Sequence, residues 1–416
     1  MSKHKNIRIL LGSATGSLLG LSGAVQAQQD EGWKTDVAVL VYSETDRVSA
    51  FEPAISVKKT YDDESELGFK LVLDSLTGAS HNGASESTEI QTFTRPSGNG
   101  TYTTNSTEVP LDDTFRDTRV NFSASYSQPI SRMQKIIYGG NISKEFDFFS
   151  TGASATFMQD INQRNTTLSA GVSFEYDVID PVGGFAAELS QMQASASTQN
   201  KTTGTDTKII SELLLGVTQV IDRFTLMQFN YGFAVSNGYH NDPYKIISLV
   251  DSTDGSLIAN DNGNLPGTYL YEKRPDSRAK HSLYAKVKRY ISGDVADISY
   301  RYMWDDWDVV SHTIDTHYRF NISPSFYLEP HVRYYDQQAA EFYRYNITNV
   351  EAQSLPANLS ADYRLGDLTA TTLGLKLGFL TPNGSPNSVR LEFYQQSGDN
   401  KPSDVDALIL QYNYRF

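Results

Sequence analysis

His317 and His331 each lie in a run where every second residue is polar or charged. The first run is Ser311, Thr313, Asp315, His317 and Arg319; the second is Tyr327, Glu329, His331, Arg333, Tyr335 and Gln337. Two earlier runs repeat the pattern: Lys280, Ser282, Tyr284, Lys286 and Lys288, then Asp297, Ser299, Arg301, Met303 and Asp305. Side chains two apart share a face of a strand, so four consecutive strands are expected to project mixed charge from one side, with Leu283, Ala285 and Val287 opposite on the first. Such a wall either steers a solute through a charged constriction or knits itself into a salt-bridge ladder that stiffens one side of a barrel. On adjacent antiparallel strands His317 and His331 would approach each other near Asp315 and Glu329, which raises metal or proton-coupled chemistry. Spacing alone fixes no register, and no other metal-ligand spacing is present, so no metal or cofactor is assigned.

The elements that would hold these runs are strands of a transmembrane barrel. Beyond residue 36 the chain is a succession of alternating stretches, such as Val120-Phe122-Ala124-Tyr126 and Leu168-Ala170-Val172-Phe174-Tyr176, with polar or small residues between. Period two marks half-exposed strands. The segmentation places them near 34–44, 47–58, 65–76, 117–127, 133–145, 148–159, 165–177, 208–219, 224–236, 278–290, 295–305, 308–320, 325–337, 366–379, 388–397 and 404–416. The expected fold is all-β: an antiparallel up-and-down barrel of about 16 strands, an even number as in bacterial single-chain barrels. Pro53 interrupts an early run, and proline is disfavoured within a sheet, so 14 strands stay open. The connections sort themselves. Thr60–Glu64, Gln128–Arg132, Asp160–Arg164, Val220–Arg223, Ser292–Asp294, Asn321–Pro324 and Thr381–Asn387 are short, whereas 77–116, 178–207, 237–277 and 338–365 all fall at the other end. Short periplasmic turns and long extracellular loops are the expected orientation. A charge facing lipid at the midplane would cost about 2–4 kcal/mol, which directs Lys280, Lys286, Lys288, Asp297, Arg301, Asp315, His317, Arg319, Glu329, His331 and Arg333 into the lumen.

The last strand carries the same logic. Leu408, Leu410, Tyr412, Tyr414 and Phe416 share one face, and the chain ends on the aromatic. Bacterial outer-membrane proteins end in this way, which implies outer-membrane lipid around Leu408–Phe416 and the barrel-assembly machinery as its reader. The strand near 34–44 must pair with it, because an open edge is not tolerated in lipid. Composition agrees. The 416 residues include 25 Tyr, 20 Phe and no Cys, with a net charge of −14. The mean hydropathy of −0.41 does not count against a barrel, whose lipid-facing residues are only every second one. No apolar run reaches the roughly 18 residues of a spanning helix. Lys3, His4, Lys5 and Arg8, the apolar Ile9–Leu21 and the small residues before Ala27 read as a secretory signal peptide over residues 1–27. The barrel would then occupy 28–416, with no room for a plug domain ahead of it, and export would take the chain to the Gram-negative outer membrane.

Outside the strands, Arg274, Pro275, Asp276 and Arg278 cluster at the base of the loop 237–277, so this loop is expected to fold inward or cap the pore. The oxygen-rich stretches Asn241–Tyr244, Asp251–Ser256 and Asn260–Asn264 do not match a helix–loop–helix calcium site and read as polar turns. Thr92–Thr107 reads as flexible surface loop. His312 near Asp305, Asp306 and Asp308 is the best acid–base group for an enzyme, but no nucleophile stands beside it, and an enzyme is not expected. Net acidity argues against nucleic acid as a partner. The expected function is a porin-like channel or passive transporter for a small solute; the alternative is a receptor or assembly scaffold working through the outer loops.

Several segments resemble an uncharacterised family of proteobacterial outer-membrane barrels, the domain-of-unknown-function family numbered 3570 (DUF3570). They are Asp180–Gly184, Leu215–Val220, Thr225–Tyr231, Gly238–Lys245, Tyr269–Arg278, Tyr300–Trp307, Tyr327–Tyr335 and Phe342–Arg344. The resemblance implies a signal-bearing outer-membrane barrel. It implies no activity and carries no functional residue over.

Overall fold

The computed structural model describes residues 32–78, 81–95, 100–112, 114–192, 200–258 and 268–416. The expected signal peptide and the stretch Asn260–Asn264 lie outside the described residues. The chain forms one closed antiparallel barrel in which each strand pairs with its sequence neighbours and the last pairs with the first. The strands are β1 (Trp33–Glu44), β2 (Val48–Thr60), β3 (Glu66–Gly78), β4 (Arg116–Ser131), β5 (Gln134–Lys144), β6 (Phe148–Ile161), β7 (Thr166–Ile179) and β8 (Asp206–Asp222). They continue as β9 (Thr225–Gly238), β10 (Ser277–Ile291), β11 (Asp294–Asp305), β12 (Val310–Ser323), β13 (Phe326–Gln337), β14 (Leu368–Leu380), β15 (Pro386–Gly398) and β16 (Val405–Arg415). All 16 of the expected strands are present.

Pro53 does not remove a strand. In β2 it stands opposite Val39 of β1, while the ladder to β3 skips Glu52 and Pro53 and resumes in the same register at Ala54–Val72. Pro330 in β13 does the same: paired with Leu375 on one side, it leaves a gap toward β12 between His317–His331 and Phe320–Leu328. A proline lacks the donor for one ladder bond, and a sheet held from the other side tolerates the gap.

The outer surface is a band of exposed aliphatic and aromatic side chains, including Phe122, Val172, Phe174, Leu215, Phe229, Ile298, Ile314, Val332, Leu373, Leu391 and Leu410. A contiguous apolar surface of this extent belongs against lipid rather than water. Aromatic pairs flank it. Phe224–Tyr290 and Tyr318–Phe320 lie near the short turns, and Tyr302–Trp304 with His281 near the long loops.

Within the long loops, Ile246–Val250 pairs with Tyr269–Tyr271 and, in parallel, with Asn346–Thr348. The stretch expected to be a flexible loop, Thr92–Thr107, instead contributes to a strand pair, Gln91–Thr94 with Thr101–Thr104. Phe93 and Tyr102 on it are 2% and 6% exposed and pack with Ile246, Tyr269 and Tyr271. Alternating Thr and aromatic residues at this site make a strand pair, and burial of the two rings overrides the loop-like composition.

Closure rests on Val37–Tyr414, Val39–Tyr412 and Val41–Leu410, and on the Phe416 amide, which donates to the Thr35 carbonyl at 2.9 Å. The chain has no native cysteine, so Val41→Cys with Leu410→Cys should oxidise to an intramolecular cross-link in the refolded barrel. Val41→Cys with Gln411→Cys, whose side chains point to opposite faces, should not. Electrophoresis under non-reducing conditions reads the difference; equal cross-linking of the two pairs would contradict this register.

Candidate functional site

The lumen has two unlike walls. On β4 to β7 the mid-strand inward residues are mostly small and polar, among them Asn121, Ser123, Asn141, Ser154, Thr156, Ser169 and Ser173, with Arg119, Glu175 and Asp177 nearer the long loops. On β10 to β15 long charged side chains predominate, broken by the glycines of β14. Lys286 meets Asp297 at 2.7 Å. Arg319 lies 3.6 Å from the centroid of the Tyr327 ring, with Lys376 on that ring at 5.7 Å and 3.6 Å from Glu329. A Cβ at Gly378 would strike the Tyr327 ring, so only glycine lets that ring lie across β14. Lys288 stands opposite Asp297 in the β10–β11 ladder, and Lys280 shares its lumenal face higher up.

His317 and His331 are opposite one another in the β12–β13 ladder, with rings stacked at 4.1 Å. Asp315 takes Nε2 of both, at 2.9 Å from His317 and 3.2 Å from His331. His331 Nδ1 reaches Glu392 on β15 at 2.7 Å, crossing over β14 at Gly374, the register partner of both residues. A Cβ there would come within 2.8 Å of Glu392 Cγ. Arg390 sits 3.5 Å from Glu392. Glu392, Arg390 and Lys376 were not among the sequence candidates, yet the alternation Arg390-Glu392-Tyr394 carried the same signal as the strands that were read.

Arg301 and Arg333 stand apart from this pairing. Arg301 lies 5.9 Å from the Tyr284 ring and feels Arg333 as a like charge. Among the described residues neither has a carboxylate within ion-pair distance. Asp305, in contrast, binds Arg278, whose guanidinium also covers Trp307 at 4.5 Å. His312 faces outward and meets the Tyr300 hydroxyl at 2.7 Å, on the opposite side of the sheet from Asp305.

Above the lumen the long loops lock together. Lys245, from the β9–β10 loop, donates to the His81 carbonyl of the β3–β4 loop at 2.8 Å and lies 3.5 Å from Asp362 of the β13–β14 loop. Those loops spring from separate parts of the circumference, so their contacts must pass over the mouth. Arg274 binds Asp362 at 2.9 Å and Glu272 at 2.8 Å, and Arg364 also binds Asp362. Asn241 joins Glu188 of the β7–β8 loop at 3.0 Å. Tyr363 takes Lys245 and Arg47 on its ring at 5.7 and 5.3 Å. Of the loop-base residues, Arg274 is buried inside this cap, Arg278 holds the top of β11, and Asp276 offers its carbonyl to the Gly238 amide at 2.8 Å. Lys245 and Glu272 fall inside the family-like segments Gly238–Lys245 and Tyr269–Arg278, but nothing in the sequence marks them or Asp362 as partners, because loops have no period to read.

Burial alone would raise the Asp362 carboxyl, but Arg364, Lys245 and Arg274 around it hold it well below the usual carboxylate range. His240 is lowered to about 4 by burial, against the pull of the Gly238 carbonyl. It therefore stays neutral at pH 7.

Residues 9–412 match the family described as "Protein of unknown function (DUF3570)". The chain belongs to this family. No curated protein matches this DUF3570 chain. Among solved structures it is similar to the ferric enterobactin receptor PfeA of Pseudomonas aeruginosa, with TM-score 0.45 and 9% identity over 90% of this chain and 55% of that one. It is also similar to CdiB of Acinetobacter baumannii, with TM-score 0.49 and 7% identity over 94% and 60%. For OccK2 (OpdF) of Pseudomonas aeruginosa in complex with glucuronate, the figures are 0.42 and 10% over 93% and 98%. The DUF3570 chain thus spans little more than half the length of the receptor structure, and these likenesses concern the barrel fold alone.

Removing one partner of a buried ion pair costs about 3–5 kcal/mol. Asp362→Ala should therefore loosen the cap and speed proteolytic cleavage within 239–276, while the barrel keeps its resistance to unfolding in unheated detergent. Because the Asp362 carboxyl is depressed, its stabilisation is complete above about pH 4, the unfolded value, and fades as pH falls through the folded one. Unchanged cleavage at neutral pH would contradict a cap held by this cluster.

Proposed function

We propose that this protein is a capped channel of the Gram-negative outer membrane, exported by a signal peptide over residues 1–27, that passes a small anionic solute. It is not an enzyme in this reading. The observation that carries it is Arg301 and Arg333, neighbours on the charged wall with no carboxylate at ion-pair distance among the described residues, on a wall where Lys280, Lys288 and Arg319 likewise leave the cations in excess of their carboxylate partners. An arginine that faces lumenal water with no carboxylate of its own is available to a passing carboxylate or phosphate, whose oxygens match its planar donors. The small-residue wall across β4 to β7 leaves space opposite for the solute. Water reaches the charged wall: His317, Lys376 and Arg390 side chains are each 30% exposed. In this reading the cap faces outward and must shift to admit the solute, and the salt-bridged remainder of the wall stiffens the lumen.

Planar-bilayer recording tests it. With the cap loosened by Asp362→Ala, the protein should conduct, and the reversal potential in a salt gradient should report anion preference. Arg301→Glu with Arg333→Glu should move that preference toward cations. A protein that stays silent with the cap loosened would overturn the channel; a conductance whose selectivity ignores both substitutions would overturn the arginine filter.

A further inference from the structure

The pairing around Asp315 is unusual for a lumen rich in cations. Among the described residues no Lys or Arg lies within ion-pair distance of it, although Arg333 is its register partner. Arg390 and Lys376 go instead to Glu392 and Glu329. What converges on Asp315 is two imidazoles, His317 Nε2 at 2.9 Å and His331 Nε2 at 3.2 Å, from rings parallel to within 4°. The far nitrogens face carboxylates as well: His331 Nδ1 meets Glu392 at 2.7 Å, and His317 Nδ1 points toward Glu329 at 3.8 Å.

We propose that Asp315, His317 and His331 form a binding site for a divalent transition-metal ion on the lumen wall, with Glu392 and Glu329 as positioning residues. One ligand atom from each of the three lies within 4.8 Å of the others. Ligands bound to one ion at about 2.0–2.2 Å lie at most about 4.4 Å apart, so modest side-chain rotations complete the set. Two imidazoles and one carboxylate suit zinc, copper or nickel, and a carboxylate behind a ligating histidine fixes its tautomer. An ionised carboxylate only accepts hydrogen bonds, so each Nε2 carries a proton while it contacts Asp315. Metal binding needs the Nε2 lone pair of each ring, so the Nε2 proton either leaves to solvent, from a ring that also carries a proton on Nδ1, or moves to Nδ1, from a neutral ring. Each ring then binds through Nε2 with its remaining hydrogen on Nδ1, turned toward Glu392 or Glu329. The ligands lie on one side of the ion, and their side chains are 9–30% exposed, so the remaining coordination positions face lumenal water.

The backbone around the site fits a built feature. His317–His331 is the last ladder pair before the gap that Pro330 creates, and Gly374 opens the passage from His331 to Glu392. The inference goes beyond the channel reading and does not depend on conductance.

The test is equilibrium dialysis of the purified, tag-free, refolded chain against Zn2+, Ni2+ and Cu2+ in turn, with the Cu2+ form examined by electron paramagnetic resonance. One ion per chain with hyperfine structure from two nitrogens is expected. His317→Gln should leave one nitrogen or abolish binding, Asp315→Asn should abolish it, and Glu392→Gln should weaken it by about ten- to a hundredfold. Heat-modifiable migration verifies that each variant still forms the barrel. A wild-type chain that retains no ion, or retention unchanged in folded His317→Gln and Asp315→Asn, would overturn the site.

Discussion

Every backbone donor and acceptor in a hydrocarbon layer must be satisfied within the protein, and the pairing of β1 with β16 is where this chain meets that demand. Without it, two strand edges would stand in lipid. With it, the alternation of every strand acquires one meaning: Val41 and Leu410 face out together, and Leu40 and Gln411 face in. The polar alternates are thereby forced into a shared interior, which is why so many charged residues can be accommodated without meeting lipid. Arg415 and Asp36, joined across the seam at 2.5 Å, extend that pairing to the very end of the strand.

A barrel built this way has no hydrophobic core of its own, since its apolar side is spent on lipid. The protein's buried apolar clusters lie at the long-loop end instead, around Tyr269 and Phe93, around Ile247 and Leu359, and around Trp307 and Phe342. They exclude water from Lys245, Arg274, Glu272 and Asp362, and in that dry setting each charge must be matched. In the proposed channel the lumen below is wet, so its charges need not all be matched, and Arg301 and Arg333 are then available to a solute while the cap's ions hold the loops.

The barrel was legible in the sequence because its period is rigid. A slip of one residue would turn every side chain to the wrong face, and Leu373, Leu375 and Leu377 against Gly374 and Lys376 admit no second reading. Even Pro53 and Pro330 fitted, because each removes bonds from one ladder and leaves the other intact. The lumen face was legible as a set of residues but not as contacts. His317 and His331 share a face by parity, whereas their stacking depends on register, and Glu392 reaches them only because Gly374 leaves room. The cap was the least legible part. Asp362 meets Arg274 and Lys245 through three-dimensional loop packing that no local pattern encodes, and the Phe93–Tyr102 hairpin was hidden in a Thr- and Asn-rich stretch whose composition suits a loop.

In the proposed channel a hydrated lumen is shut from the outer side by an ion-clamped cap, and access to a single lumenal thiol tests this most directly. Ser299 faces the lumen between Lys286 and Asp315 in the ladders, and the chain has no cysteine to interfere. Ser299→Cys is labelled on intact cells with a bulky maleimide that cannot cross the membrane. A capped lumen gives slow labelling with the cap intact and fast labelling when Asp362→Ala is added. Fast labelling of Ser299→Cys alone would contradict it.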